Sequence, residues 1–422
     1  MFKYILGLTV VLFSIHLFSQ KLDAGNGHAI IVDKNGHVWT MGRNDFGQLG
    51  NNSLKNSPDP IQVKELKNIV SISRGYDHSI ALDKNGDLYL WGRNNYGQIG
   101  TASIKDQWTA QKLINHTDFI AVEGGHWHTV ALKKDGKVWA WGHNFFAELG
   151  SGDREHSNFP ISVLQKDKNV IQKLDDVVKI ASVGYHTLAL KKDGTVWAWG
   201  GNTFNELGTK GEEFQVYAQK IAGLPKMKEI AVGWHHSVAI DFDGNIWVWG
   251  SDPAFQFKEE TKKHYESPVK FSGLPRFEKI ACGSWHTLAI DENKNVWAWG
   301  KNHFGMLGTG DNISRSFPVK IKSLNGISEI GGGCFQSICM KSDGKLFTFG
   351  DNPFGQLGIG DFKRSYLPKE MNLDIFGKLK KKSKNETKDI DAKFVLKLLF
   401  FVAFLCSLLI NFVLYLKLRK GR

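Results

Sequence analysis

Apolar residues come in short runs parted by glycines and polar turns, and the runs repeat. In one stretch Phe119–Val122 is apolar and stops at Gly125. His128–Leu132 follows, then the pair Asp135-Gly136, then Val138–Trp141 with large aromatics at alternate positions. Alternation at a period of two is the mark of a strand. An Asp-Gly pair between two such runs predicts a tight hairpin, because glycine reaches positive φ without a Cβ clash. A Gly-rich loop then leads to a fourth run, often begun by proline as at Pro318, which suits an edge strand. This unit recurs. A large apolar residue followed by glycine stands at Gly42, Gly92, Gly142, Gly200, Gly250, Gly300 and Gly350, in steps of 50, 50, 58, 50, 50 and 50 residues. Four strands at each of seven stations predict an all-β, seven-bladed propeller over residues 20–372, a radial arrangement that limits exposed sheet edges. The long step places eight extra residues within Pro160–Val178, where a surface excursion tolerant of shortening is expected.

The repeated string Trp-Gly-x-Asn-x-aromatic-Gly-Gln-Leu-Gly carries a resemblance. It reads WGRNNYGQIG at Trp91–Gly100, MGRNDFGQLG at Met41–Gly50 and FGDNPFGQLG at Phe349–Gly358. With the Gly-x-x-His-Ser/Thr string it resembles the regulator of chromosome condensation family, over residues 24–370. The resemblance implies a seven-bladed propeller closed by bringing its terminal strands together. Three units depart from the pattern. The fifth loop reads GSDPAFQF from Gly250, the sixth hairpin has Asn293-Lys294-Asn295, and the seventh unit has Gln336 in place of His.

The two ends differ from the body. Residues 1–19 pair Lys3 with an apolar run from Ile5 to Phe18 and end at Ser19, the layout of a secretory signal peptide cleaved near Ser19. An uncleaved anchor is the alternative. Residues 398–416 carry no charge and would span about 28 Å as a helix, close to a bilayer core. A Lys-rich linker, 373–397, precedes this expected transmembrane helix, and a short basic tail, 417–422, follows it. The linker lysines favour a cytoplasmic body by charge bias. The export signal argues the opposite and is given precedence. The expected topology is single-pass, with the propeller extracytoplasmic (periplasmic or at the cell surface) and the tail cytoplasmic.

Charge then sorts the functions. The formal net charge is +12. Residues 371–422 hold 12 Lys/Arg against 4 Asp/Glu, and Lys3 adds one more, which leaves +3 for residues 21–370. A near-neutral body is not that of a nucleic-acid binder. Four cysteines exclude a disulfide scaffold. Cys282 and Cys334 fall two positions apart in register in adjacent units, and spacing leaves open whether they pair.

Candidate chemistry is sparse. His28, His78, His128, His186, His236 and His286 occupy one station. A ring of imidazoles invites a metal reading. The reading adopted is structural, with each histidine satisfying the backbone groups of its turn, so no metal and no cofactor is expected. His126 and His235 stand outside that station and are too isolated for a ligand set. No HExxH, CxxC or GxSxG string occurs, and no catalytic residue is assigned. Aromatics in the turns before the histidines are more informative: Tyr76, Trp127, Tyr185, Trp234, Trp285 and Phe335. They are either wedges between blades or a ring of anchors on a binding face, since Tyr and Trp give large contact area at low entropic cost. The function expected is a membrane-anchored module that binds an unidentified protein or surface ligand. The alternatives are a cytosolic guanine-nucleotide exchange factor, as the family resemblance implies, and an exported enzyme with an unrecognised site.

Overall fold

The computed structural model describes residues 20–251, 264–374 and 376–379. The expected signal peptide, the transmembrane helix with most of its linker, and most of the GSDPAFQF loop lie outside these residues. Among the described residues no helix is long and apolar enough to cross a membrane.

Seven sheets form, each built on four antiparallel strands in the order they are made, and the fourth carries two further strands at its outer edge. The blades span residues 22–63, 69–112, 119–162, 177–220, 227–270, 277–320 and 327–374. The inner strand of each blade lines the axis and the fourth forms the outer edge. Hydrophobic residues of one sheet pack on those of the next. Val130, Leu132 and Ala140 of the third blade, for example, share a cluster with Ile180, Ala189 and Trp199 of the fourth. Trp91, Trp141, Trp199, Trp249 and Trp299 are wholly buried between blades. Outer strands accept the prolines. Pro318 lies inside Arg315–Lys320 rather than at its start, and an edge strand tolerates the missing N–H.

Two sequence features differ in outcome from what the pattern suggested. The extra residues between the third and fourth blades are not a loose excursion. They form a hairpin, Leu164–Asp167 paired with Val170–Lys173, and Gln165 pairs in parallel with Ala218 of the fourth blade's outer strand. Its tip is exposed, but Leu174 is wholly buried. The second feature is closure. Leu22–Ala24 is the inner strand of the first blade and Ser365–Asp374 the outer strand of the seventh, so the termini do not share a sheet. The ring closes between complete blades. Gln336 Nε2 donates to the carbonyls of Gly25 (3.2 Å) and His28 (3.1 Å). Arg74 Nη2 donates to Gly332 O at 2.7 Å, and Asn372 Nδ2 to Asp59 Oδ1 at 3.2 Å. The seventh unit's departure from His is thus a closing contact.

Candidate functional site

Five of the six repeated histidines fasten one blade to the next; both ring nitrogens of His28 are buried without such a bond. His78 Nε2 lies 3.2 Å from Thr129 Oγ1, His128 Nε2 3.1 Å from Ser182 Oγ, and His186 Nε2 2.9 Å from Ser237 Oγ. His236 and His286 repeat this with Thr287 and Ser337 at 3.1 and 2.8 Å. Thr129, Ser237 and Ser337 each spend their one hydroxyl proton on a carbonyl, Gln98 O, Glu206 O or Met306 O, at 2.7–2.8 Å. The hydroxyl must therefore accept from the imidazole, which fixes Nε2–H as the tautomer. Buried indoles use the same carbonyls: Trp141 Nε1 donates to Gln98 O and Trp249 Nε1 to Glu206 O. The sequence suggested that each histidine satisfies the backbone groups of its own turn. His78, His128, His186, His236 and His286 reach across a blade boundary, and the ring folds back over the preceding glycine. A Cβ added at Gly125 would collide with the His128 ring. Burial in this apolar setting lowers the pKa of His28, His78, His186, His236 and His286 to about 3, and that of His128 well below the ordinary value. All six are neutral at neutral pH.

Each turn before a histidine faces the same end of the propeller as the Gly-x-Asn loop that follows the third strand. The loop folds on its asparagine. Asn94 Oδ1 accepts from Ile99 N at 2.9 Å, and Asn94 Nδ2 donates to the carbonyls of Ser103 and Lys105. The glycine before the loop has φ of 107° at Gly142, where a Cβ would stand 2.6 Å from Trp127 O. No other residue fits there.

The six turn aromatics do not form one ring. Tyr76 and Trp234 stand two positions before their histidines and point to the axis, together with His126. Tyr76 meets His126 at 4.2 Å between ring centroids and Trp234 at 5.9 Å, and His126 stacks on Trp234 at 5.6 Å. These residues come from the second, third and fifth blades, so their rings cross the axis. A collar of backbone bonds lies beneath them. Asn26 N donates to Tyr76 O, Tyr76 N to Gly125 O, His126 N to Gly184 O, Trp234 N to Ser284 O, Ser284 N to Gly333 O and Cys334 N to Gly25 O, at 2.9–3.2 Å. Six of the seven blade junctions are joined this way. Trp127, Tyr185, Trp285 and Phe335 stand one position later and lie farther out. Each meets the neighbouring loop: Trp127 with Tyr96 (5.2 Å), Tyr185 with Phe146 (4.8 Å), Phe335 with Phe304 (5.2 Å), and Trp285 beneath Lys301 Nζ (4.1 Å). All six are half-buried.

A third set was not singled out from the sequence. Phe46, Tyr96, Phe146, Phe204, Phe304 and Phe354 are the aromatics of the Gly-x-Asn-x-aromatic string, and they surround the turn residues. The signal was present as a motif position, but a motif that reports fold conceals what its residues present outward. Arg43 and Arg93 both lie over Phe46, at 5.4 and 4.7 Å, and both pair with buried Asp77 at 3.2 Å. His143, also missed, holds Glu148 at 2.7 Å and stands 4.7 Å from the His156 ring. His235 reaches Glu206 at 3.0 Å.

Behind the collar, the inner strands enclose a cavity of about 410 Å³. Lys179 pairs with Glu229 and Lys279 with Glu329 (2.7 Å), so charge alternates along its wall. Glu123 accepts from Ser73 Oγ at 3.1 Å, and burial pushes its carboxyl up to about 8. Asp23 lies 3.5 Å from Arg74. Among the described residues no group of three or more His, Cys, Asp or Glu could hold a metal ion. Cys282, Cys334 and Cys339 are free and buried, so Cys282 and Cys334 are not paired.

Fold and face together define a seven-bladed propeller of linked blades with aromatic side chains clustered at one end. The RCC1-like domain model matches residues 10–276, and regulator of chromosome condensation repeats match 277–305, 294–340 and 343–379. The chain belongs to the RCC1-like family. Among solved structures it is similar to human WBSCR16, at 22% identity and a TM-score of 0.69, over 79% of this chain and 93% of that one. It is also similar to yeast RCC1 (Prp20) bound to Kap60, at 21% identity and a TM-score of 0.71, over 85% and 86%. A structure of Prp20p from Saccharomyces cerevisiae, described with its binding to Gsp1p and histones, is 25% identical with a TM-score of 0.64, over 74% and 80%. No curated protein sequence matches the chain.

Proposed function

We propose that this chain is a membrane-anchored, extracytoplasmic propeller that binds another protein through its aromatic end. The single observation that carries the reading is the three-tier aromatic surface. Its outer tiers are half-buried side chains, held by the loops beneath and open above. Rigid rings on a fixed scaffold lose little entropy on binding, which is how protein interfaces are anchored. Membership of the RCC1-like family supports protein binding, since Prp20p has been described with Gsp1p and histones. Export and anchoring rest on residues 1–19 and 398–416. No catalytic group is assigned. Cytosolic nucleotide exchange is the second reading, favoured by family membership alone, and the side of the membrane on which the body lies separates the two.

The two inner rings and the four outer rings have different tasks. Trp234 packs across the axis, so Trp234→Ala acts on stability, by about 2–3 kcal/mol. Trp127→Ala with Trp285→Ala removes outward-facing area and should cost about 2–4 kcal/mol of binding with less than 1 kcal/mol of stability. The full-length chain, with a photo-crosslinker placed at Phe145, should capture the same protein from cells repeatedly, and the Trp127/Trp285 variant should not. If that variant captures it equally well, the aromatic end is not the binding surface.

A further inference from the structure

The opposite end of the propeller is built differently. Hairpins between second and third strands lie there, against the links that lead into the next blade: Phe119 N bonds Gly86 O, and Val177 N bonds Gly136 O. A ring of large aromatics repeats at this end in one register. Trp39, Tyr89, Trp139, Trp197, Trp247, Trp297 and Phe347 each stand three residues before the glycine that follows the third-strand run, and five of the seven are only half-buried. Lys112, Lys220, Lys270 and Lys320 stand directly opposite four of them, on the outer strands. Lys133, Lys191 and Lys341 lie over aromatic rings at this end as well. Ile114, Phe242 and Val170 project from the links and hairpins, 74%, 63% and 59% exposed.

Charge separates the two ends. The basic count covers the hairpins at 33–37, 83–87, 133–137, 191–195, 241–245, 291–295 and 341–345. It also takes in the links at 64–68, 113–118, 163–176, 221–226, 271–276, 321–326 and 374–379, with the seven outer-strand residues opposite the aromatic ring. Together these carry 23 Lys/Arg against 17 Asp/Glu, a net of +6. At the aromatic end, the loops 43–56, 93–106, 143–156, 201–213, 301–314 and 351–364, with the turns, carry 9 Lys/Arg against 12 Asp/Glu, a net of −3. The last described residues leave from the basic end: Lys34 Nζ lies over Phe376, and Leu373 pairs with Leu379. The sequence then continues into Lys380, Lys381 and Lys382.

We infer that the hairpin end docks on an anionic lipid bilayer. Lysines with indole and phenol rings at one level are the side chains that favour a headgroup region, the cations for lipid phosphates and the rings for the boundary with the acyl chains. Projecting apolar side chains insert shallowly. The acidic end is turned outward, which leaves the aromatic surface free for its partner. The inference rests on the anchored reading for its geometry, but the surface chemistry stands without it.

The test uses the full chain in nanodiscs of phosphatidylcholine alone or mixed with phosphatidylglycerol, with amide exchange as the readout. Residues 133–137 and 241–245 should exchange about tenfold more slowly in the anionic discs, as expected for a handful of cations near a charged surface. High salt should remove the difference, and so should Lys134→Glu with Lys220→Glu and Lys320→Glu, exposed changes that leave the core intact. Exchange at 143–156 should not change. Equal exchange in both discs overturns the inference, as does protection confined to the aromatic end. If the chain fails to enter discs at all, the anchored reading fails. Sedimentation with preformed phosphatidylglycerol vesicles then decides docking alone: salt-reversible binding upholds it, and absence of binding overturns it.

Discussion

Six neutral imidazoles buried in one register make the stability of this propeller depend on pH. In the unfolded chain each would titrate near the ordinary imidazole value of 6.5, while five fold with a pKa of about 3 and His128 well below its ordinary value. A base whose pKa is lowered by folding gives stability that is fully present above the unfolded value. That stability is lost as pH falls, because the unfolded state then binds more protons. Each histidine should contribute a slope of up to about 1.4 kcal/mol per pH unit below 6.5. Glu123 works the other way. Its pKa rises from 4.5 to about 8, so its contribution falls as pH climbs between those values. Six groups outweigh one. Denaturant unfolding from pH 7.5 to pH 5 should show stability nearly level above pH 6.5 and dropping steeply below it. A flat profile down to pH 5 would mean that the imidazoles are solvated. The sequence suggests a structural role for the histidines, because each follows a glycine in a turn. It did not show that they reach into the next blade, since that partner lies about fifty residues on and the spacing of a repeat does not say which neighbour a side chain faces.

At the scale of elements, the hairpin Leu164–Lys173 shows where local pattern stops being informative. Its eight extra residues were countable, but polar lysines and aspartates read as a loop. Parallel pairing of Gln165 with Ala218 depends on the neighbouring blade, and Leu174 is buried in the cluster that the third and fourth blades share. Deleting 165–174 should therefore cost about 3 kcal/mol or more, through loss of a buried leucine. Val170→Ser with Ile171→Thr should stay within about 0.5 kcal/mol, since both residues are exposed. Thermal melts of the two variants measure the contrast. If the deletion melts like the unaltered chain, the hairpin is an ornament. The third strand and its hairpin were the most legible element. Even the sixth unit, without Asp-Gly, turns in the same way, because Lys294 takes φ of 61° and Asp291 Oδ1 accepts from the amides of Asn293 and Asn295.

For the whole molecule, closure rests on contacts between the first two blades and the last. Seven blades and their order were legible from the period alone. How the ring shuts was not, because the closing contacts join residues about three hundred apart. Gln336→Ala removes two bonds to the first blade while Gly25 O keeps Cys334 N and His28 O keeps Gly25 N, so it should lower stability by about 1–2 kcal/mol and speed exchange at Gly25–His28. Gln→Ala at exposed Gln172, made alongside, should do neither. If Gln336→Ala is silent, the ends are held by apolar packing alone. The candidate surface was half legible. The turn aromatics were found, but their division into axial and outward sets follows from a shift of one residue between units, and a shift that small is invisible until the strands are in register.

We propose that this propeller works outside the cytoplasm, held by the apolar segment 398–416. Protease added to intact cells or spheroplasts tests it most directly, with antibodies to the body and to the tail. The account predicts digestion of residues 20–379 without lysis, leaving a small membrane-bound fragment that carries residues 398–422. A body that survives until the membrane is broken would contradict the account and turn the reading towards cytosolic exchange.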